Sequence, residues 1–433
     1  MQRDSAVHES WFDAMRWNCF VKREMEMKKT LVALSVFGLF AGVAQAQSNV
    51  TIYGVLDVGY VKETGRDLRM GDYDNNRIGF RGTEDLGNGY KAIFDIQRRF
   101  DLSDGTLGNS NTASYKGSKS ATQKDWDGAA WLGLAGPFGQ VRLGRINQIE
   151  TEFIRKFDPF NQIGVGSQFY GLQRNARIDN TLRYDSPKFN GLGVSASYSL
   201  GANTNSDSIT DTVKKNLKSK NADNDGYELG VLYDSGSFSA TANWSRVADS
   251  NDSSIWSVGL GYRLTDAVRV SLSYEDTDSK GWKGGNSSYA EGINTLYGRQ
   301  RNLLAGLEWN VGPGRLNASV QWDRLSNTKG DTGWTGTKDA YRYAVGYTYD
   351  LSKRTSLYGN VAYTDYDDKD LGYRFTGLKK DSVTGVQAGI TQILRWQGLP
   401  CVEGYRWFSA EWNGTGYGTA FLPYPGIRSG KQW

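Results

Sequence analysis

The run Phe238-Ser-Ala-Thr-Ala-Asn-Trp-Ser245 puts Phe238, Ala240, Ala242 and Trp244 on one side of an extended chain and Ser239, Thr241, Asn243 and Ser245 on the other. Successive side chains of a β-strand point to opposite faces, so this period of two predicts a strand with one apolar and one polar face. The same division sets Val268, Val270, Leu272 and Tyr274 against Arg269, Ser271, Ser273 and Glu275, and Leu316, Ala318, Val320 and Trp322 against Asn317, Ser319, Gln321 and Asp323. Earlier in the chain Val50, Ile52, Leu56, Val58 and Tyr60 oppose Thr51, Tyr53 and Asp57. Leu192, Val194, Ala196 and Tyr198 oppose Ser195, Ser197 and Ser199 in the same way.

Connections between these segments alternate in length. Short ones built from Gly, Pro, Asn and Asp run from Glu84 to Gly89, Ala135 to Gly139, Asp185 to Gly191, Asp234 to Ser237, Leu264 to Asp266, Gly312 to Gly314 and Leu351 to Arg354. Long polar ones lie near Val61 to Asn76, Asp101 to Asp127, Glu150 to Arg177, Gly201 to Asp225, Val247 to Ser253, Asp276 to Arg301, Leu325 to Lys338 and Tyr366 to Asp381. Seven short turns and eight long loops separate sixteen strands. An even number of antiparallel strands with short turns on one side and long loops on the other closes without leaving an edge.

A soluble sandwich also alternates, and the two faces decide between them. In the quoted segments the apolar face carries no charged residue, and a basic charge there costs about 2–4 kcal/mol at a bilayer midplane. The polar face is heavily charged, with Arg142, Glu228, Arg269, Glu275 and Asp323. Tyr60, Tyr198, Tyr227, Tyr233, Trp244, Trp256, Tyr262, Trp309, Trp322, Tyr347, Tyr349 and Tyr363 gather near strand ends, as aromatic girdles do at two membrane–water interfaces. The expectation is an all-β fold, a sixteen-stranded antiparallel transmembrane β-barrel with short periplasmic turns and long external loops. A mean hydropathy of -0.56 excludes a bundle of apolar transmembrane helices.

Met27 to Ala46 has the basic start, short apolar run and Ala44-Gln45-Ala46 site of a cleaved secretory signal. Residues 1–26 then read as an upstream extension from a mis-assigned start, 47–393 as the barrel, and 394–433 as an atypical tail. From Leu394 the alternation stops and Pro400, Cys401, Pro423 and Pro425 enter, which a frameshift or readthrough near Gln392 explains most simply. Removal of the signal takes His8 with it, leaving no histidine for Ser–His or Asp–His chemistry, so no enzyme is expected. No cofactor or metal is assigned either. Asp365, Asp367, Asp368 and Asp370 lack the turn glycine of a calcium loop, and Lys214, Lys215, Lys218 and Lys220 read as a solvated run, with no nucleic acid as partner.

Val50-Thr-Ile-Tyr-Gly54, the hairpin Arg77-Ile-Gly-Phe-Arg-Gly-Thr-Glu-Asp-Leu-Gly-Asn-Gly-Tyr90, the turn Gly136-Pro-Phe-Gly139 leading to Val141-Arg-Leu-Gly-Arg145, and Asn180-Thr-Leu-Arg-Tyr-Asp-Ser-Pro187 resemble general porins of the Gram-negative outer membrane, of the β-proteobacterial type. The resemblance implies a homotrimer of barrels in outer-membrane lipid and lipopolysaccharide, inserted by the assembly machinery, each with a water-filled channel narrowed by its third long loop. It also implies a chain ending on a strand closed by phenylalanine, which this sequence lacks.

A passive channel needs a polar lumen, a narrow point and a field. Arg77 and Arg81 oppose Ile78 and Phe80, Arg142 opposes Val141 and Leu143, Arg183 opposes Leu182 and Tyr184, and Arg99 continues the face of Asp95 and Gln97. These five arginines are expected to form a basic wall at the constriction. Glu150, Glu152 and Asp158 of the third long loop supply counter-charges, with Phe153, Phe157, Pro159 and Phe160 to pack it. The competing reading is that the arginines merely balance carboxylates within the wall. The expected activity is passive diffusion of small hydrophilic solutes and ions with a leaning toward anions. The alternatives are a channel specific for sugars or carboxylates, or an adhesion surface made by the loops.

Overall fold

A computed structural model of the chain describes residues 49–107, 125–169, 177–200, 225–248, 252–280, 297–327 and 336–397. The signal-like segment, the residues before it and the tail beyond 397 lie outside the described residues. The strands are β1 Asn49–Glu63, β2 Arg69–Gly71, β3 Arg77–Gly87, β4 Tyr90–Arg99, β5 Ala130–Gly136, β6 Gly139–Asn147, β7 Arg177–Asp185, β8 Leu192–Ser199, β9 Gly226–Asp234, β10 Phe238–Arg246, β11 Ser254–Arg263, β12 Val268–Lys280, β13 Tyr297–Val311, β14 Gly314–Asn327, β15 Gly336–Asp350, β16 Thr355–Tyr366 and β17 Ser382–Gln397. Three-residue β2 is an insert in the first long connection; the other sixteen are the barrel staves. Each pairs antiparallel with its neighbour, and β1 pairs with β17 from Thr51↔Gln397 to Glu63↔Gly385, which closes the sheet. The last strand therefore continues four residues past the expected limit at 393, because the pairing partner on β1 is still present there.

The two faces lie inside out relative to a soluble protein. Leu132, Leu143 and Val320 are 63%, 58% and 53% exposed, whereas Ser257 and Asp323 are 0% and Asn317 1%. A sandwich would bury the first set, so the apolar face looks outward to lipid and the polar face inward to the lumen. On the outer surface Tyr227 meets Trp244 at a ring distance of 5.6 Å and Trp256 meets Tyr274 at 5.2 Å near the long loops. Tyr233 meets Phe238 at 6.1 Å near the short turns. The two belts stand six residues apart along β9, β10 and β11, which is about 20 Å of strand.

The short turns are closed by residues that tolerate left-handed backbone. In the β3–β4 hairpin Asn88 and Gly89 have φ of 52° and 79°, as a tight two-residue connection requires. The loop after β6 does not stay outside: it enters the lumen as a short helix α1, Ile149–Ile154, and a 3-10 turn, Arg155–Phe157. The loop after β16 carries a second helix α2, Lys369–Thr376, whose first amides are capped by Asp368. Leu371 of α2 is buried with Phe169 of the inward loop and with Leu325, Ala340, Tyr366 and Val383 of the wall.

Candidate functional site

The inward loop is built from residues that have something to bury inside a polar tube. Phe153, Phe157 and Phe160 are 2%, 0% and 0% exposed, as the sequence led one to expect of its packing residues. Gln148 offers no side-chain cap to α1. The cap comes from the wall, where the Glu228 carboxylate on β9 accepts from the Ile149 amide at 3.0 Å and from the Ser197 hydroxyl at 2.9 Å. Farther along, Ser271 donates to the Phe157 carbonyl at 2.7 Å, and Arg342 donates to the Ser167 carbonyl at 2.7 Å. Gln321 accepts from the Phe169 amide at 3.1 Å and donates to the Gly166 carbonyl at 3.1 Å.

The five arginines expected on one wall all lie on the inward face, but they fall into two groups. Arg183 is fully buried and donates to Glu152 at 2.9 and 3.2 Å and to Asp185 at 2.9 Å. Arg142 donates to the same Asp185 at 2.6 Å and lies over the Trp131 ring at 5.2 Å. Two cations face two carboxylates here, so the balancing reading holds for Arg142 and Arg183, and their expected role as free charges is corrected. Arg77 is held by Asp74 at 2.8 Å. Arg81 lies 5.0 Å over the Tyr53 ring, beside Asp95, which accepts the Tyr53 hydroxyl at 2.5 Å. Arg99 is 6% exposed and its Nε has no hydrogen-bond partner; among the described residues its side chain has no ion pair.

The loop acids are likewise not a row of charges facing the passage. Glu152 is taken up by Arg183, and Glu150 is buried with the Thr151 hydroxyl at 3.3 Å. Asp158 is 2% exposed and accepts the backbone amides of Phe160, Gln162 and Gln168 at 2.9, 2.8 and 2.8 Å. Its expected place as a lumenal counter-charge is corrected: it is the hub of its own loop, holding a bend in which Asn161 and Gln162 have φ of 53° and 60°.

The pattern missed two cations. Arg177, at the start of β7, is 8% exposed, its Nε is unpartnered, and its strongest charged neighbours are Arg99, Arg145 and Arg155. Among the described residues it has no ion pair. Lys156 of the loop lies 5.4 Å from the Phe153 ring, and burial pushes its ammonium down to about 8, opposed by Glu152. Arg81, Arg99 and Arg177 thus outnumber their carboxylate neighbours Asp95 and Asp127, while Lys156 faces a separate set, Glu152, Lys188, Asp234 and Arg183.

Residues 31–369 match the model of the Gram-negative porins. The chain belongs to the Gram-negative porin family. An outer membrane porin protein of Bordetella pertussis is 30% identical, covering 84% of this chain and 99% of that protein. Outer membrane porin protein 32 of Delftia acidovorans is 29% identical over the same shares, and a major outer membrane protein P.IB of Neisseria meningitidis is 28% identical over 76% and 91%. Among solved structures, the anion-selective porin from Comamonas acidovorans superposes with a TM-score of 0.61 at 23% identity, over 80% of this chain and all of that one. The porin described here is therefore a channel of the bacterial outer membrane, and its lumen is the site where function is to be sought.

Proposed function

We propose that this porin is an anion-leaning diffusion channel for small hydrophilic solutes and ions. The observation that carries the reading is the pair Arg99 and Arg177, two buried inward guanidiniums that make no direct ion pair among the described residues, with Asp127 as the carboxylate neighbour they share. A guanidinium stays charged under all ordinary conditions, so two of them sharing the Asp127 carboxylate without direct contact attract mobile anions from the lumen. A preference for anions in the related Comamonas structure is consistent with this. Arg81 completes the basic side, with Arg77 balanced by Asp74, while Glu150, Glu152 and Asp158 act by holding the loop. Reversal potentials of single channels in a KCl gradient test the reading, and a preference for potassium overturns it. Catalysis has no part in it.

The same proposal includes export on residues 27–46 and assembly into homotrimers in contact with lipopolysaccharide, with the assembly machinery as inserting partner. Strands β5 to β10 hold only 7 to 9 residues, against 13 to 16 for β12, β13, β14, β15 and β17. Seven residues extend about 24 Å, and a tilt of roughly 40° reduces their height to about 18 Å, well short of the ~25 Å apolar band of such barrels. The short wall, with Leu132, Leu134, Leu143 and Leu182 exposed, is better covered by a second copy than by lipid. Chemical cross-linking in the membrane checks it: a trimer band lost on Leu132→Lys with Leu143→Lys supports the interface, and a monomer throughout refutes it.

A further inference from the structure

The inward loop crosses half of the barrel wall, and at each second strand it crosses a glycine. Ile149 and Phe153 lie on Gly230 of β9, Phe157 on Gly259 of β11, Pro159 on Gly306 of β13, Phe160 on Gly346 of β15 and Val165 on Gly385 of β17. The order of the loop residues follows the order of the strands, and all five glycines sit on the buried, inward face. A Cβ placed on Gly230 would stand 2.5 Å from Ile149, on Gly306 2.6 Å from Pro159, on Gly346 3.1 Å from Phe160 and on Gly385 3.0 Å from Val165. At Gly259 all three of the nearest atoms belong to the Phe157 ring, and the approach is closer still. Gly230, Gly306 and Gly346 also abut wall side chains, namely Asn243, Ser271 and Asn360, whereas Gly259 meets only the loop and Gly385 meets it first.

We infer that these inward glycines are positioning residues that set the bore of the channel. They form a trough into which the loop sinks, so that the remaining passage runs between the loop and the arginine side. The wall residues that bind the loop backbone, Glu228, Ser271, Gln321 and Arg342, fix its course along the trough. The glycines fix its depth. Ordinary contact begins at 3.4 Å, so a methyl group on Gly385 requires Val165 to retreat by a few tenths of an ångström. One on Gly259 drives Phe157 farther, and retreat is possible only toward the passage, because the wall behind is a hydrogen-bonded sheet. Gly359 of β16 is the natural control, since a Cβ there meets nothing within 4 Å.

The test is single-channel conductance of the full-length protein in planar bilayers, with the cation-to-anion permeability ratio recorded alongside. Gly259→Ala and Gly385→Ala lower the open-channel conductance, on the order of tens of per cent, while Gly359→Ala leaves it unchanged. Phe157→Ala placed in the Gly259→Ala background, and Val165→Ala in the Gly385→Ala background, restore it by removing the atoms that collide. A merely structural role would lower the yield of folded barrel without this pairwise rescue. If Gly259→Ala folds poorly, Gly385→Ala and its matched Val165→Ala partner carry the test on the same conductance readout. Parental conductance in both single variants, or a loss that the matched partner does not relieve, overturns the inference and leaves the channel itself standing.

Discussion

Neutralising Arg99 and Arg177 together removes two positive charges from the narrow lumen without breaking any ion pair among the described residues. At about 8 Å from the ion path each contributes roughly 0.5 kcal/mol in bulk water, and screening at about 0.1 M salt, with a Debye length near 10 Å, reduces this to roughly 0.2 kcal/mol. That is about a 1.5-fold effect per charge, acting once on the anion and in the opposite sense on the cation. Two charges therefore lower the anion-to-cation permeability ratio about fivefold, and a lower effective dielectric only enlarges the change. At about 1 M salt the Debye length of ~3 Å leaves about a 1.3-fold change. The assay is the reversal potential of Arg99→Gln/Arg177→Gln channels across a KCl gradient held below roughly 0.1 M, repeated at high salt. Arg142→Gln with Asp185→Asn is the matched control, because it dismantles an ion pair while keeping the net charge. A ratio that shifts less than about 1.5-fold at low salt, or shifts as much in the control, refutes the assignment of the field to Arg99 and Arg177.

Other perturbations follow from the same geometry. Lys156, held down to about 8 by burial, is charged below that pH and neutral above it, with Glu152, Lys188, Asp234 and Arg183 as its charged surroundings. Anion preference should accordingly fall between about pH 7 and pH 9, and Lys156→Met should abolish that dependence; a fall that survives the substitution assigns it elsewhere. Leu260 on the outer face of β11 is 47% exposed, and Leu260→Arg should cost about 2–4 kcal/mol in equilibrium unfolding from lipid vesicles, whereas a cost near zero would place this wall out of the bilayer. Asp158→Ala strips three backbone amides of their acceptor, a local loss of about 3 kcal/mol, so open-channel noise should rise while the heat-stability of the barrel stays unchanged. Quiet channels in that variant would show that the bend holds without its carboxylate.

The staves, their faces and the inward direction of Arg77, Arg81, Arg99, Arg142 and Arg183 were legible because strand parity is a local rule that reads off one segment at a time. Parity says where a side chain points and nothing about what it meets. Arg183 meets Glu152, 31 residues earlier, and Arg142 meets Asp185 at the far end of the following strand, so their neutralisation is a tertiary fact. Arg177 escaped for a different reason. The register shifts between Gly144 and Ile146 where β6 meets β7, and Asn180 has φ of 52°, so the period of two breaks between Arg177 and the rest of its strand. Asp158 sits in irregular backbone, where the partners of a carboxylate are set by the path of the loop rather than by any repeat. The glycines beneath the loop were hidden too, because a residue without a side chain adds nothing to the alternation that reveals the strands.

The two halves of the chain thus contribute different physics to one passage. Strands β3, β4, β6 and β7 carry the arginines, and β9, β11, β13, β15 and β17 carry the glycines that receive the loop. A closed sheet forces these halves to face each other across the lumen. The loop that leaves β6 at Asn147 must therefore cross from the charged half to the receiving half, and α1 makes that crossing. Its acid Glu152 stays bound to Arg183 on the near side, while Ile149 is capped by Glu228 on the far side. One short helix is held by a cation behind it and a carboxylate ahead of it. Exchanging the signs, with Arg183→Glu and Glu152→Arg, keeps the pair between positions 152 and 183, and adding Asp185→Asn with Arg142→Gln removes the carboxylate that would otherwise repel the new one at 183, whereas either charge reversal alone leaves a buried charge uncompensated and costs about 3–5 kcal/mol. An exchange in that background that conducts like the parent, beside single variants that do not assemble, would establish that this pair aligns the helix and contributes nothing to selectivity. An exchange whose ion preference also moved would instead return Arg183 to the field from which its ion pairs now remove it.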